Sequence, residues 1–175
     1  RFGAKEFTVE AGRPDTINED VVKVLEKHGV TRISVNPQTF NDKTLEVIGR
    51  RHSSAQTYNA YMLVKDKFDV NMDLIACLPN ETFDDFKRSV DIAVALNPAN
   101  VTVHTLYMKK GSALKQCGYD NTDFDTASKM VDYAYSKLTE SGYEPYYMYR
   151  QKYTSGNLEN VGYAKPNKAC IYNVD

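Results

Sequence analysis

Four short stretches of this chain alternate apolar and polar residues, and each runs into a stretch with helical spacing. They are KEFTVE (5–10), RISVNPQ (32–38), DVNMDLIA (69–76) and NVTVHTLY (100–107). Asn18 or Thr16 is placed to cap a helix through about Lys27, with Val21, Val22 and Leu25 at helical spacing and Gly29 as its stop. Asn41 caps a second helix, with Leu45 and Ile48 on one face, and a third lies near 54–66. NETFDDFKRSVDIAVALNP reads as a capped amphipathic helix ended by Asn97-Pro98, and DTASKMVDYAYSKLTESGY as another ending at Gly142. Strands alternating with helices of this length predict parallel β-α units with right-handed crossovers. After Gly142 the pattern changes to a Tyr-rich stretch, YEPYYMYRQKYTSGNLENVGYAKP, read as irregular structure or a hairpin around Ser155-Gly156-Asn157. The division expected is therefore 1–142 as a β/α unit and 143–175 as a segment leading out of it.

The strand faces carry the functional information. Parallel strands buried on both sides read as continuous apolar runs, and these do not. Phe7 and Val9 oppose Thr8 and Glu10; Ile33 and Val35 oppose Ser34, Asn36 and Gln38; Val70, Met72 and Leu74 oppose Asn71 and Asp73; Val101 and Val103 oppose Thr102 and His104. With a period of two, each strand has one apolar and one polar face. Helices must cover the apolar face, so the polar face lines an interior. Burying Glu10, Gln38 and Asp73 without partners costs roughly 1–3 kcal/mol or more for each. They are expected to meet each other, water or a ligand, at the strand ends that carry active sites in β/α barrels and open α/β sheets.

Bulk properties exclude several classes. The net charge is −1, which gives no electrostatic case for nucleic acid or an anionic membrane. No apolar run approaches the ~18 residues of a membrane span and no signal peptide opens the chain, so a cytoplasmic location is expected. Cys77, Cys117 and Cys170 are odd in number and widely spaced, which argues against a disulfide framework and supplies no CxxC or CxxxCxxC. There is no Gly-rich phosphate loop, which counts against a phosphate-binding β/α enzyme. The sequence begins at Arg1 and enters a strand almost at once, so it is expected to be a piece of a longer protein.

FTVEAGRPD, RISVNPQTFNDKTLEVIGRRHS and NMDLIACLPNETFDDFKRSVDIAVALNPANVTVHTLYMKKGSAL resemble successive β-α units of radical S-adenosylmethionine (SAM) enzymes of the oxygen-independent coproporphyrinogen III oxidase branch. The motif types are E-x-x-P, G-x-Q-[ST]-F, [ND]-x-D-L-I-x-G-L-P and Y-x-x-x-x-G-T-x-L. The resemblance implies an α/β fold: a partial β/α barrel of about four parallel strands with flanking helices, plus the Tyr-rich C-terminal segment. It also implies SAM and a 4Fe–4S cluster whose CxxxCxxC ligands lie upstream of Arg1, a tetrapyrrole substrate and an electron donor. In that family SAM is cleaved reductively to a radical, a propionate loses CO₂ and a vinyl group remains. The resemblance assigns Glu10, Gln38, Arg50 and Asp73 to the cofactor: Arg50 to its carboxylate, Asp73 to its ribose hydroxyls, Glu10 and Gln38 to further contacts. Tyr107 is a candidate for the substrate. This chain alone is expected to be inactive. Non-catalytic haem-binding or haem-delivery proteins share the barrel and form the alternative. Two residues depart from the pattern: Cys77 stands where the family has Gly, and Pro37 replaces a common Val.

Weaker candidates are His52 and His104 as proton donors, the cluster Tyr146, Tyr147, Tyr149 and Tyr153 as a stacking surface, and Lys109, Lys110, Arg150 and Lys152 for propionates. For each, an ordinary structural or surface role is the competing reading.

Overall fold

Alternation decides the architecture. In the computed structural model the strand Asp69–Ala76 buries every second residue. Val70, Met72, Leu74 and Ala76 enter the core, while Asn71 and Asp73 face the other way and stay partly exposed. Residues 3–108, 113–116, 118–119, 123–150, 154 and 158–173 are described. Lys109, Lys110, Cys117, Lys152, Tyr153 and the Ser155-Gly156-Asn157 turn lie outside them.

The strands are β1 (Thr8–Val9), β2 (Arg32–Ser34), β3 (Asp69–Ala76), β4 (Asn100–Thr105), β5 (Glu144–Tyr149) and β6 (Asn160–Ala164). They form one sheet in the order β1-β2-β3-β4-β6-β5. The first four are parallel, as the β-α repeat requires, and β6 joins β4 antiparallel and carries β5 outside it. Gly142 therefore marks a change from parallel to antiparallel pairing. The helices are α1 (Glu19–Lys27), α2 (Asp42–Val47), α3 (Ser54–Val64), α4 (Phe83–Leu96), α5 (Ala113–Gln116) and α6 (Phe124–Glu140).

Their ends follow the local chemistry. Asn18, rather than Thr16, caps α1 by accepting from the Val21 amide, and Asn41 caps α2 by accepting from Lys43. Ser53 with Gln56 and Thr82 with Asp85 form reciprocal capping boxes on α3 and α4. Asn97, in the left-handed region at φ 64°, ends α4 just before Pro98. Two apolar clusters fill the space between sheet and helices. Phe86, Val90 and Ala93 of α4 and Met130, Ala134 and Leu138 of α6 pack on Leu74, Val101 and Val103. Ala60, Tyr61 and Val64 of α3 and Val22 of α1 pack with Ile33, Val35, Val70 and Met72. No helix among the described residues is long and apolar enough to cross a membrane.

Two expectations are corrected. The first strand is two residues long rather than six, and the Phe7 ring is 47% exposed rather than packed with Val9. The reason is its edge position: before Thr8 the backbone turns to bond Thr31, with the Phe7 amide donating to Thr31 Oγ1 at 2.9 Å. Regular pairing of the second strand stops at Ser34. Its backbone still reaches β3, with Val35 N donating to Asn71 O and Gln38 N to Asp73 O, each at 2.9 Å. Pro37 has no N–H to continue the ladder, and Gln38 adopts φ 64° to re-enter it. The same left-handed conformation occurs at Cys77, φ 66°. An L side chain is disfavoured there and Gly is not, which explains why the resembled motif has Gly at this position.

Candidate functional site

The polar strand faces converge on one cavity of about 300 Å³. Glu10, Ser34, Asp73, Thr102 and His104 line it, from β1 across to β4, with Tyr147 contributed by β5. Period-two reading of four strands thus placed seven polar side chains in one groove, these five together with Thr8 and Asn71. Ser34 Oγ donates to Glu10 Oε1, which fixes the acid at the end of β1. His104 lies between Asp73, 3.7 Å from Nε2 to Oδ1, and the Tyr149 hydroxyl, 3.3 Å from Nδ1.

The antiparallel hairpin makes the aromatic wall. Tyr146 is the extra residue of a β-bulge between Pro145 and Tyr147, which re-aims the residues after it. Tyr147 then pairs with Gly162, itself opposite Thr102, so it shares the polar face. Its ring lies over Gly162 where a Cβ would collide with it. Tyr147 stacks on Tyr149 with centroids 6.1 Å apart and planes 6° from parallel. Burial pushes the Tyr147 phenol up to about 12, reinforced by the nearby Asp73 charge and opposed by a hydrogen bond with Thr102.

Beside the groove, the same polar face carries a residue the sequence reading did not single out. Arg32 opens β2 on the same face as Ser34 and is 3% exposed. Its guanidinium meets Glu6 at 2.9 Å, Asn71 Oδ1 at 2.8 Å, Asn100 Oδ1, and the carbonyl of Lys168 at 3.0 Å. The C-terminal stretch is drawn across this end: Lys168 pairs with Asp69 at 2.7 Å, and the Ile171 amide donates to Glu6 at 3.2 Å. Cys170, Tyr172 and Asn173 consequently complete the cavity lining. The available signal was phase: Arg32 is two residues before Ser34.

The remaining candidates are dispersed. Gln38 is buried, beyond the break at Pro37, and does not line the cavity. Asn36 is also buried, and its Oδ1 has no partner among the described residues. Arg50 is exposed on the loop after α2, and no hydrogen bond or ion pair among the described residues joins it to Glu10 or Asp73. Its loop is tied to the strand end by His52, whose Nε2 lies 3.2 Å from Pro37 O; that gives His52 a structural role. Tyr107 is half-buried and bridges to Thr154 rather than lining the groove. Arg150 pairs with Glu159. Glu81, which the sequence reading passed over, accepts from Thr39 Oγ1 at 2.5 Å and ties the loop after Gln38 to the loop after β3. Burial pushes its carboxyl up, against a hydrogen bond from Thr39. Among the described residues no group of His, Cys, Asp and Glu could hold a metal ion.

Residues 3–93 match the family model described as the radical SAM superfamily. Over 174 residues the chain is 43% identical to HemZ of Bacillus subtilis, described as an oxygen-independent coproporphyrinogen-III oxidase-like protein; the match covers 97% of this chain and 35% of HemZ. It is 33% identical over 152 residues to the heme chaperone HemW of Lactococcus lactis, covering 81% of this chain and 39% of HemW. Among solved structures it superposes on HemN, the coproporphyrinogen III oxidase of Escherichia coli, with a TM-score of 0.75 at 20% identity, over 93% of this chain and 36% of HemN. The chain thus spans 35% and 39% of the length of these two curated relatives.

Proposed function

Since the chain belongs to the radical SAM superfamily, we propose that it supplies much of the SAM-binding face of a longer, coproporphyrinogen III oxidase-like oxidoreductase of haem biosynthesis. The observation that carries this reading is the groove. Two carboxylates, Glu10 and Asp73, stand with Ser34, Thr102 and His104 on the face the helices leave uncovered. SAM offers ribose hydroxyls and an ammonium as donors, and an acceptor-rich groove suits both. The unpartnered Asn36 Oδ1, buried near the same strand ends, is a further acceptor awaiting a donor. In this reading Asp73 accepts from the ribose hydroxyls, Glu10 and Gln38 make further polar contacts, and Arg50 pairs with the carboxylate. Arg suits that last role because its planar fork meets a carboxylate through two parallel bonds. In the same reading the stacked Tyr147 and Tyr149 offer a face to a flat tetrapyrrole, and Tyr107 is a further candidate substrate contact.

When bound, SAM and a 4Fe–4S cluster supply the one-electron chemistry; this chain's residues supply orientation and exclusion of water. The described residues do not form a cluster site, so its ligands belong, in this reading, to another part of the protein, as does the docking of an electron donor. A second reading is favoured by the similarity to HemW: a protein that binds haem without transforming it.

One experiment separates the two. The full-length protein, reconstituted with iron and sulfide, is incubated anaerobically with SAM, a reductant and coproporphyrinogen III. Loss of CO₂ with formation of vinyl groups supports the oxidase. Stoichiometric haem binding without CO₂ release overturns it in favour of the haem-binding protein.

A further inference from the structure

Three strands bring Asp73, His104 and Tyr149 together in the groove. The two nitrogens of the His104 ring face different groups, the Tyr149 hydroxyl at Nδ1 and the Asp73 carboxylate at Nε2. A phenol that donates to Nδ1 leaves the neutral ring's proton on Nε2, toward the carboxylate. His104 and Asp73 are each 27% exposed at the side chain, so protons exchange with solvent.

We propose that His104 is a positioning residue for Asp73, and that its protonation decides whether Asp73 is available to a ligand bearing a vicinal diol. The inference rests on the reading of Asp73 as an acceptor for ribose hydroxyls. With His104 neutral, its Nε2–H stands 3.7 Å from Asp73 Oδ1 and takes at most one of the carboxylate's acceptor sites, leaving the others free for the diol. With His104 protonated, the imidazolium closes on Asp73 as an ion pair and competes with the ligand for the same oxygens. Tyr149 holds the ring in the plane from which it does this.

The surroundings isolate the effect. The other titratable groups lining the cavity are Glu10 from β1, Tyr147 from β5, and Cys170 and Tyr172 from the C-terminal stretch. Tyr147 and Tyr149 are pushed up by burial, and so is the Cys170 thiol, with Glu6 adding to it. An imidazole is the side chain that ordinarily changes charge between pH 5 and 8, and His104 is the one His in this lining.

The test is calorimetric titration of the full-length protein with S-adenosylhomocysteine, which keeps the ribose but lacks the sulfonium charge. The Kd should be higher at pH 5.5 than at pH 7.5, as expected for a ligand opposed by an imidazolium. His104→Gln should flatten that rise. Tyr149→Phe keeps the imidazole but releases it, so the slope should persist with a displaced midpoint. A pH-independent Kd in the unaltered protein, a full slope in His104→Gln, or an unmoved midpoint in Tyr149→Phe would each overturn the inference. Asp73→Asn separates this from the parent reading. If it weakens binding at every pH while the unaltered protein is flat, only the His104 role fails. If it leaves binding unchanged, the assignment of Asp73 fails and the inference with it.

Discussion

Replacing Arg32 with Met should cost about 3–5 kcal/mol, the range for breaking a buried ion pair from one side. The structure supports the upper part of that range. The guanidinium is 3% exposed and Glu6 is 13% exposed at the side chain. Met fills the stem but leaves Glu6, the Asn71 and Asn100 side-chain oxygens and the Lys168 carbonyl without their donor. Each acceptor left dry costs roughly 1–3 kcal/mol, and water entering beside the C-terminal stretch returns part of it. With a urea slope near 2 kcal/mol per molar, the midpoint should fall by about 1.5–2.5 M at pH 7. The effect is linked to pH. Burial pushes the Glu6 carboxyl up, but hydrogen bonds from Arg32 and Thr8 and the Arg32 charge outweigh it, so the folded carboxyl sits below the ordinary glutamate range. A depressed acid stabilises the fold above its unfolded pKa, and that contribution fades as pH falls through the folded pKa. The gap between the two proteins should therefore hold from pH 7 down to the ordinary glutamate range and narrow below it, toward pH 3. Urea unfolding followed by far-UV circular dichroism at both pH values is the assay. A midpoint shift under about 0.5 M at pH 7, or a gap unchanged at about pH 3, would refute the account of Arg32 as the residue that holds this end of the sheet.

Gly162→Ala should drive the Tyr147 ring off β6 at a cost of about 1–3 kcal/mol, the usual range for overpacking; near-UV circular dichroism should change with it. At Cys77 the left-handed backbone makes Gly acceptable, so Cys77→Gly should stay within about 1 kcal/mol of the parent, whereas the β-branched Cys77→Val should lose more than about 2 kcal/mol by thermal unfolding. Residues 1–175 expressed alone should self-associate, because among the described residues β1 and β5 each leave one edge unpaired within the sheet; light scattering that shows a monomer across concentration would contradict this.

The sequence made the parallel half legible because alternation and helix caps are local. Val70, Met72 and Leu74 against Asn71 and Asp73 required nothing beyond a period of two, and β3 is observed with the bounds of its alternating run, Asp69–Ala76. The groove was legible for the same reason. Glu10, Ser34, Asp73, Thr102 and His104 are in phase on strands whose parallel order follows from the β-α repeat. What local pattern cannot carry is contact across long sequence separations. Nothing local marks Arg32 beyond its phase with Ser34, because Asn100 and the Lys168 carbonyl reach it only across long sequence separations. Gln38 was given the phase of Ser34 and Asn36, but the missing amide of Pro37 interrupts that phase. Tyr147 and Tyr149 required the bulge at Tyr146, which no composition signal marks.

Three of the five non-glycine residues with positive φ among the described residues share one end of the sheet. Gln38, Cys77 and Asn80 all have φ between 62° and 66°, and all lie just beyond β2 or β3, at the end where Glu10 and Asp73 face the groove. For a non-glycine residue that conformation costs of order 1 kcal/mol or more. At Cys77 the fold keeps the conformation without the glycine that would remove the cost. The surroundings enforce it: the thiol is buried with Sγ 4.0 Å from Met130 Sδ, and the neighbouring Leu78 is buried as well. At Gln38 the enforcing contacts are the two backbone bonds to β3, at Asp73 and Ile75. Rigid strand ends and a packed helical layer therefore hold these loops in shapes that local preference would not select. Backbone strain of this kind clusters where loop geometry serves a ligand, and here it lies at the ends of β2 and β3 beside the candidate groove.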